Sequence, residues 1–211
     1  MENKKLLEEI RSYWNNRADG YSRVNQEELH SEQKEKWKEV LLEQLPKKEK
    51  NQVKILDIGT GPGFFAILLA EEGYQVTAVD YTEQMLQEAK SNAADLADQI
   101  SFKRMDAQNL EFPKETFDYI VTRNVTWNLE HPKRAYREWQ RVLKPGGTFM
   151  IVNESDGRNT KDEKWAGIID GMRIFTQERL TQYLKDAGFS QIAAHVNRKQ
   201  HWICLLAEKA R

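Results

Sequence analysis

Asp57, Gly59, Gly61, Gly63 and Asp80 are the residues whose types and spacing speak most directly of chemistry. Glycines at alternate positions permit a tight turn with positive φ and let a ligand lie against bare backbone. A carboxylate at Asp80 can accept from two neighbouring hydroxyls, which is what a ribose offers. Together these residues predict a nucleoside-containing ligand.

The elements around them must be short and buried. Val53, Ile55, Leu56 and Ile58 form an apolar, β-branched run of strand length, with Asp57 near its end. Phe64–Ala70 reads as an apolar helix stopped at Gly73, and Gln75–Val79 reads as a second strand ending in Asp80. This is the opening β-α-β of a doubly wound sheet, with its glycine turn where such sheets bind ligands. A helix starting after the turn also aims free N–H groups at that spot. A dinucleotide fold would need G-x-G-x-x-G, but its third glycine position, counted from Gly59 and Gly61, is Phe64. The phosphate loop G-x-x-x-x-G-K-[ST] is absent.

The run D-I-G-T-G-P-G, followed by a strand ending in Asp80, resembles the first motif of class I S-adenosylmethionine (SAM)-dependent methyltransferases. Two further stretches extend the resemblance over roughly residues 50–208: M-D-A after a third strand, and F-D-Y-I-V with L-K-P-G-G beyond it. The small-molecule branch called methyltransferase type 11 is the most similar group. The segment after the fifth strand is short, where relatives often carry a longer insertion covering the acceptor.

The resemblance implies roles. Gly59, Gly61 and Gly63 would make room for the methionyl and ribose portion, and Asp57 would hold the turn and reach the amino group. Asp80 would take the ribose hydroxyls, and Tyr81 and Met85 would pack on the adenine. Asp106 would accept from the adenine amino group, Ala107 would read a ring nitrogen through its backbone, and the Asn124 carbonyl would face the methionyl ammonium. The bland alternatives are a strand-end cap for Asp106 and a turn residue for Asn124.

Ahead of this core, residues 2–18 carry Leu6, Leu7, Ile10, Tyr13 and Trp14 at helical spacing, with a break expected at Gly20. A second helix is expected over Gln26–Leu45, ending before Pro46. Residues 1–46 are either an amphipathic packing layer or a lid. The resemblance to the aromatic leader of small-molecule methyltransferases implies the lid, giving Tyr21 to the cofactor and Tyr13 and Arg17 to the acceptor, with Trp14 beside them.

Downstream, Thr82–Leu96 reads as a helix capped by Thr82, residues 100–105 as a strand, and Phe117–Thr122 as the fourth strand. A helix follows from His131-Pro132, with Ala135, Trp139, Val142 and Leu143 inward, closed by Pro145-Gly146-Gly147 before a fifth strand over Thr148–Val152. Thr176–Ala187 is a last helix, and Phe189–Val196 and Trp202–Ala207 are two closing strands, read as an antiparallel pair. The expected architecture is α/β: one Rossmann-like, doubly wound seven-stranded sheet, mostly parallel, with an antiparallel C-terminal strand and an N-terminal helical lid, all in a single domain over 1–211.

Methyl transfer from a sulfonium is an in-line displacement that needs alignment and exclusion of water more than a fixed catalytic group. A hydroxyl or protonated amine acceptor would add a base. His131 is the first candidate, although its bland reading is the residue before a helix-opening proline; Glu154 and Asp156 come second. Trp127 would wall the acceptor, or simply pack its loop, and His195 and His201 read as structural.

The 32 basic and 33 acidic residues of this 211-residue chain leave no net footprint for a phosphate backbone. The fourth strand ends R-N-V-T-W rather than in the N/D-P-P-Y/F run of base-amino methylases, and the single cysteine, Cys204, falls in the last strand. A small-molecule acceptor is expected, with no nucleic acid, no membrane, no metal and a cytoplasmic location. A nucleotide-dependent oxidoreductase, a non-catalytic SAM-binding protein and a methyltransferase of protein or RNA are the rivals. The oligomeric state is not written in the sequence.

Overall fold

The computed structural model describes residues 2–153, 177–197 and 202–211. Seven strands form one sheet in the order β3-β2-β1-β4-β5-β7-β6. The chain divides into two compact units, Met1–Asp106 and Ala107–Arg211.

In the first unit β1 (Lys54–Ile58), β2 (Gln75–Asp80) and β3 (Ile100–Arg104) pair in parallel, with Ile58 opposite Val79 and Asp80 opposite Arg104. Ile55, Leu56 and Ile58 are fully buried, as a strand covered on both faces requires. Helix α3 (Phe64–Glu71) is apolar all round, and Phe64–Ala70 are buried without exception.

The N-terminal helix differs from the sequence expectation. Helix α1 runs unbroken over Glu2–Leu29, through Gly20. A mid-helix glycine costs only about 1 kcal/mol; Gly20 is exposed, and the opposite face of the helix is buried through Ala18, Ser22 and Asn25. The real boundary is Ser31, whose hydroxyl accepts from the Gln33 N–H and caps α2 (Glu32–Glu43). Trp37 of α2 meets Phe65 edge-on at 5.5 Å, and Lys34 pairs with Glu71 at 2.7 Å. Helix α4 spans Glu83–Ala93, shorter than expected, and a 3-10 stretch, Ala94–Gln99, leads into β3.

In the second unit β4 (Phe117–Arg123) pairs in parallel with β5 (Leu143–Asn153). The last strand, β7 (Trp202–Lys209), lies antiparallel to both β5 and β6 (Phe189–Asn197), as the sequence suggested. Helix α5 (Pro132–Val142) buries Ala135, Tyr136, Trp139 and Val142 completely. Trp139 packs on Phe149 at 5.3 Å, and Phe149 stacks on Phe189 at 5.3 Å. Helix α6 spans Gln177–Asp186 and brings Tyr183 to 5.6 Å from Tyr136.

Pro145-Gly146-Gly147 does not close α5 as expected. The helix ends at Val142, Leu143 already pairs with Phe117, and the three residues fall in an irregularity of β5 before Thr148 pairs with Tyr119. No helix among the described residues is long and apolar enough to cross a membrane.

Candidate functional site

The turn after β1 is fixed at each residue. Gly59, Gly61 and Gly63 have φ of 64°, 53° and 97°. The Thr60 N–H donates to the Val79 carbonyl at 3.0 Å, and Gly63 N–H to the Thr60 carbonyl at 2.9 Å. The Thr60 hydroxyl donates to the buried Asp57 carboxylate at 2.7 Å. Asp57 therefore braces the turn from inside.

Asp80 ties β2 to that turn. One carboxylate oxygen accepts from Gly61 N–H and the other from Thr82 N–H, each at 2.9 Å. Thr82 does sit at the cap position of α4, but its hydroxyl makes no cap bond; it serves Asp80 instead. Burial pushes the Asp80 carboxyl above the ordinary carboxylate range, against the pull of those donors.

Gly61 and Gly63 do different things. A Cβ on Gly61 would meet nothing within 4 Å, so its face is open to a ligand. One on Gly63 would lie 3.1 Å from the Ala89 Cβ and 3.3 Å from Ile67 Cδ1, so Gly63 lets α3 and α4 close on the turn. Met85 is buried, whereas Tyr81 and Asp106 are half-buried. Arg104 lies over the Tyr81 ring at 5.7 Å, and the Tyr81 hydroxyl donates to Glu8 at 3.5 Å. Burial, then the Glu8 charge, push that phenol up.

On α1 four leader residues gather. Tyr13 meets Trp14 edge-on at 5.2 Å, Trp14 meets Tyr21 at 5.4 Å, and Arg17 donates to the Tyr13 hydroxyl at 2.5 Å. Arg17 and Tyr21 are exposed.

In the second unit Asn124 follows β4 with φ of 58°, and its N–H donates to the Val152 carbonyl at 2.8 Å. The left-handed region suits an asparagine at a tight strand-end turn. Ala107 gives its carbonyl to Trp139 Nε1 at 2.8 Å. His131 is exposed just before α5, its Nε2 3.6 Å from Glu130 and its N–H donated to the buried Gln108 side chain at 2.6 Å. The backbone of Trp127 lies in a 3-10 turn, Thr126–Asn128. The side chain of Trp127, together with Glu154, Asp156 and His201, lies outside what the structure describes, while His195 falls in β6. Among the described residues no group of three or more His, Cys, Asp or Glu could hold a metal ion.

The family described as "Methyltransferase domain" matches residues 56–151, from within β1 to within β5. Phosphoethanolamine N-methyltransferase 3 of Arabidopsis thaliana is 28% identical over 67% of this chain, which spans only 29% of that protein. The ubiquinone/menaquinone biosynthesis C-methyltransferase UbiE of Rickettsia bellii is 26% identical over 87% of this chain and 85% of its own length. A SAM-dependent methyltransferase from Aquifex aeolicus shares the fold with a TM-score of 0.65, at 22% identity over 81% of this chain and 88% of that one. Residues 56–151 thus carry a methyltransferase domain, on the Rossmann-like fold that SAM-dependent methyltransferases share.

The turn has room for such a cofactor, with the Gly61 face open and the Asp80 carboxylate beside it, bonded to the Gly61 N–H. The methyltransferase domain match removes the oxidoreductase rival that Phe64 already argued against. Several residues that hold the site were not singled out from sequence. Thr60 pairs with Asp57, and T-G-P-G could have suggested it, because a hydroxyl beside a tight turn is a ready partner for a buried acid. Asn92 of α4 donates to the Pro62 carbonyl at 3.0 Å, a contact across 30 residues with no local signal.

Proposed function

We propose that this methyltransferase binds SAM at the glycine turn and transfers its methyl group to a nitrogen, oxygen or sulfur atom of a small molecule by in-line displacement. The observation that carries the reading is Asp80, bonded to Gly61 N–H at 2.9 Å beside a glycine face that is open. When bound, SAM supplies a methyl group already activated by its sulfonium.

The chain's own residues orient and shelter. Asp80 accepts from the ribose hydroxyls, Asp57 keeps the turn in place, and Tyr81 and Met85 receive the adenine beside Asp106. Ala107 and Asn124 are proposed cofactor contacts of the second unit. Tyr21 is assigned to the cofactor, and Tyr13, Arg17, Trp127 and Glu154 to the acceptor, with α1 acting as a lid that keeps water from the transfer. His131 takes the acceptor's proton where there is one to remove. Support for a small acceptor comes from the relatives, which carry the names of an N-methyltransferase of phosphoethanolamine and a C-methyltransferase of quinone biosynthesis. The likeness to UbiE over most of both chains favours a second reading, a carbon acceptor.

Turnover with labelled SAM against a metabolite extract, with the methylated product identified by mass, tests the proposal. A labelled small molecule is expected. Label confined to protein or RNA, or no transfer with SAM bound, would replace it with one of the rival readings.

A further inference from the structure

Asn92 sits on α4 and touches the two segments the proposed function depends on. Its Nδ2 donates to the Pro62 carbonyl of the glycine turn at 3.0 Å and to Ser22 Oγ of α1 at 3.1 Å. Its Oδ1 accepts from Gln26 Nε2 at 2.8 Å and from Ser22 Oγ at 3.3 Å. A side-chain amide has two donor hydrogens and two acceptor lone pairs, so these four contacts use all of its capacity. Ser22 is 3% exposed, which makes its share of the junction a buried one.

The junction is stiff on the turn side. One helical turn earlier on α4, Ala89 lies so near Gly63 that a Cβ there would come within 3.1 Å of the Ala89 Cβ, so α4 meets the turn at consecutive residues, by close approach at Gly63 and by hydrogen bonding at Pro62. Proline has no N–H, and the Pro62 carbonyl is the only hydrogen-bonding group that residue brings to a buried position. Displacing Asn92 moves a main-chain group adjacent to Gly61, whose N–H is the one held by Asp80.

We propose that Asn92 is a positioning residue that couples α1 to the cofactor turn, so that filling the turn and ordering the N-terminal helix are one event. The inference rests on the cofactor-binding reading above and names the residue through which that site reaches the helix. A ligand seated on Gly61 and Asp80 stabilises the turn, the turn holds Pro62, and Asn92 passes the restraint to Ser22 and Gln26. Without Asn92 the two segments respond separately.

Three proteins decide this: the unaltered chain, Asn92→Leu, which removes both arms at similar volume, and Ser22→Ala/Gln26→Ala, which removes only the α1 arm. S-adenosylhomocysteine is the probe, read by calorimetric titration and by hydrogen exchange of α1 and of residues 59–64. Asn92→Leu should weaken binding about tenfold, the loss expected of one to two hydrogen bonds, and should speed exchange in both segments even without ligand. The double variant should keep most of the affinity, yet ligand should no longer protect α1. Unchanged affinity in Asn92→Leu with a lowered Tm would reduce Asn92 to packing, and ligand protection of α1 persisting in the double variant would overturn the coupling. If the unaltered chain does not bind the probe, the cofactor reading itself fails. Ligand-free exchange then still judges Asn92, because an Asn92→Leu chain that loosens only one segment contradicts the junction.

Discussion

The glycine turn at 59–63 is shaped by its own main chain, whereas the segment 107–112 is shaped by a helix. In the turn, positive φ values and bonds to the neighbouring strand set the path, and two acids, Asp57 and Asp80, finish it. Residues 107–112 contain no described helix or strand and hang from α5 instead. Trp139 takes the Ala107 carbonyl, Glu138 accepts from Leu110 N–H at 3.1 Å, and Arg141 donates to the Leu110 and Phe112 carbonyls at 2.8 Å each. Arg134 reaches Asn109 at 3.1 Å. Arg141 also donates to Glu138 at 2.8 Å, and that bond, with the charge behind it, holds the Glu138 carboxyl below the usual carboxylate range. A path written in main-chain conformation tolerates few residue types. A path imposed by side chains depends on a partner far along the sequence.

Gly61→Val should give the largest effect. It forces a β-branched residue to a φ of 53° and fills the open face, so S-adenosylhomocysteine affinity should fall about a hundredfold or more. Circular dichroism should still show a folded chain. Retained affinity would mean the turn is not where the ligand sits.

Asp80→Ala comes next. Removing the acceptor of the ribose hydroxyls should cost about 1–3 kcal/mol of binding, read by the same titration. A collapse of Tm with affinity unchanged would make Asp80 a structural link between Gly61 and Thr82 and nothing more.

Arg141→Leu is the counterpart in the second region. Losing its bonds to two carbonyls and Glu138 should lower stability by about 1–2 kcal/mol, seen in urea unfolding. Cofactor affinity should change much less than in Gly61→Val. Equal losses in both variants would erase the contrast between the regions.

The turn was readable from D-x-G-x-G-x-G because its physical requirements, glycine where φ is positive and an acid where a hydroxyl or N–H must be met, are local. The parallel order of strands was readable for a similar reason, since short β-branched runs alternate with helical spacing. Gly20 misled because a glycine marks a stop only where backbone bonding also ends, and in α1 it does not. Pro145-Gly146-Gly147 misled in the opposite way, since its residues suit a helix end but serve an irregular strand start. The straps from α5 depend on rotamers meeting across about 30 residues of chain, and the Asn92 junction spans 30 residues to Pro62 and 66 and 70 to Gln26 and Ser22. No window of sequence contains both partners.

The smallest effect is one of pH. The Asp80 carboxyl titrates above its ordinary value of 3.8 because burial disfavours its charge. The folded chain therefore binds this proton at a higher pH than the unfolded chain does. Between the ordinary and the raised value, the ligand-free protein loses the Asp80 share of its stability as pH rises. Ribose binding needs the ionised acceptor, so affinity for S-adenosylhomocysteine should move the other way and weaken a few-fold, at most about tenfold, as pH falls through that window. Asp80→Asn should flatten both trends, and a persistent pH dependence in that variant would place the titrating group elsewhere.

Cys204 lies in β7, opposite Val152 on one side and His195 on the other, and burial pushes its thiol up to about 12. Alkylating reagents attack the thiolate, which is scarce at neutral pH when the pKa is that high. Because the chain has one cysteine, every modification event reports an opening that exposes β7, whether local to the β5–β7–β6 region or global. The protein carries its own stopwatch for unfolding at that end of the sheet, usable without any engineered label.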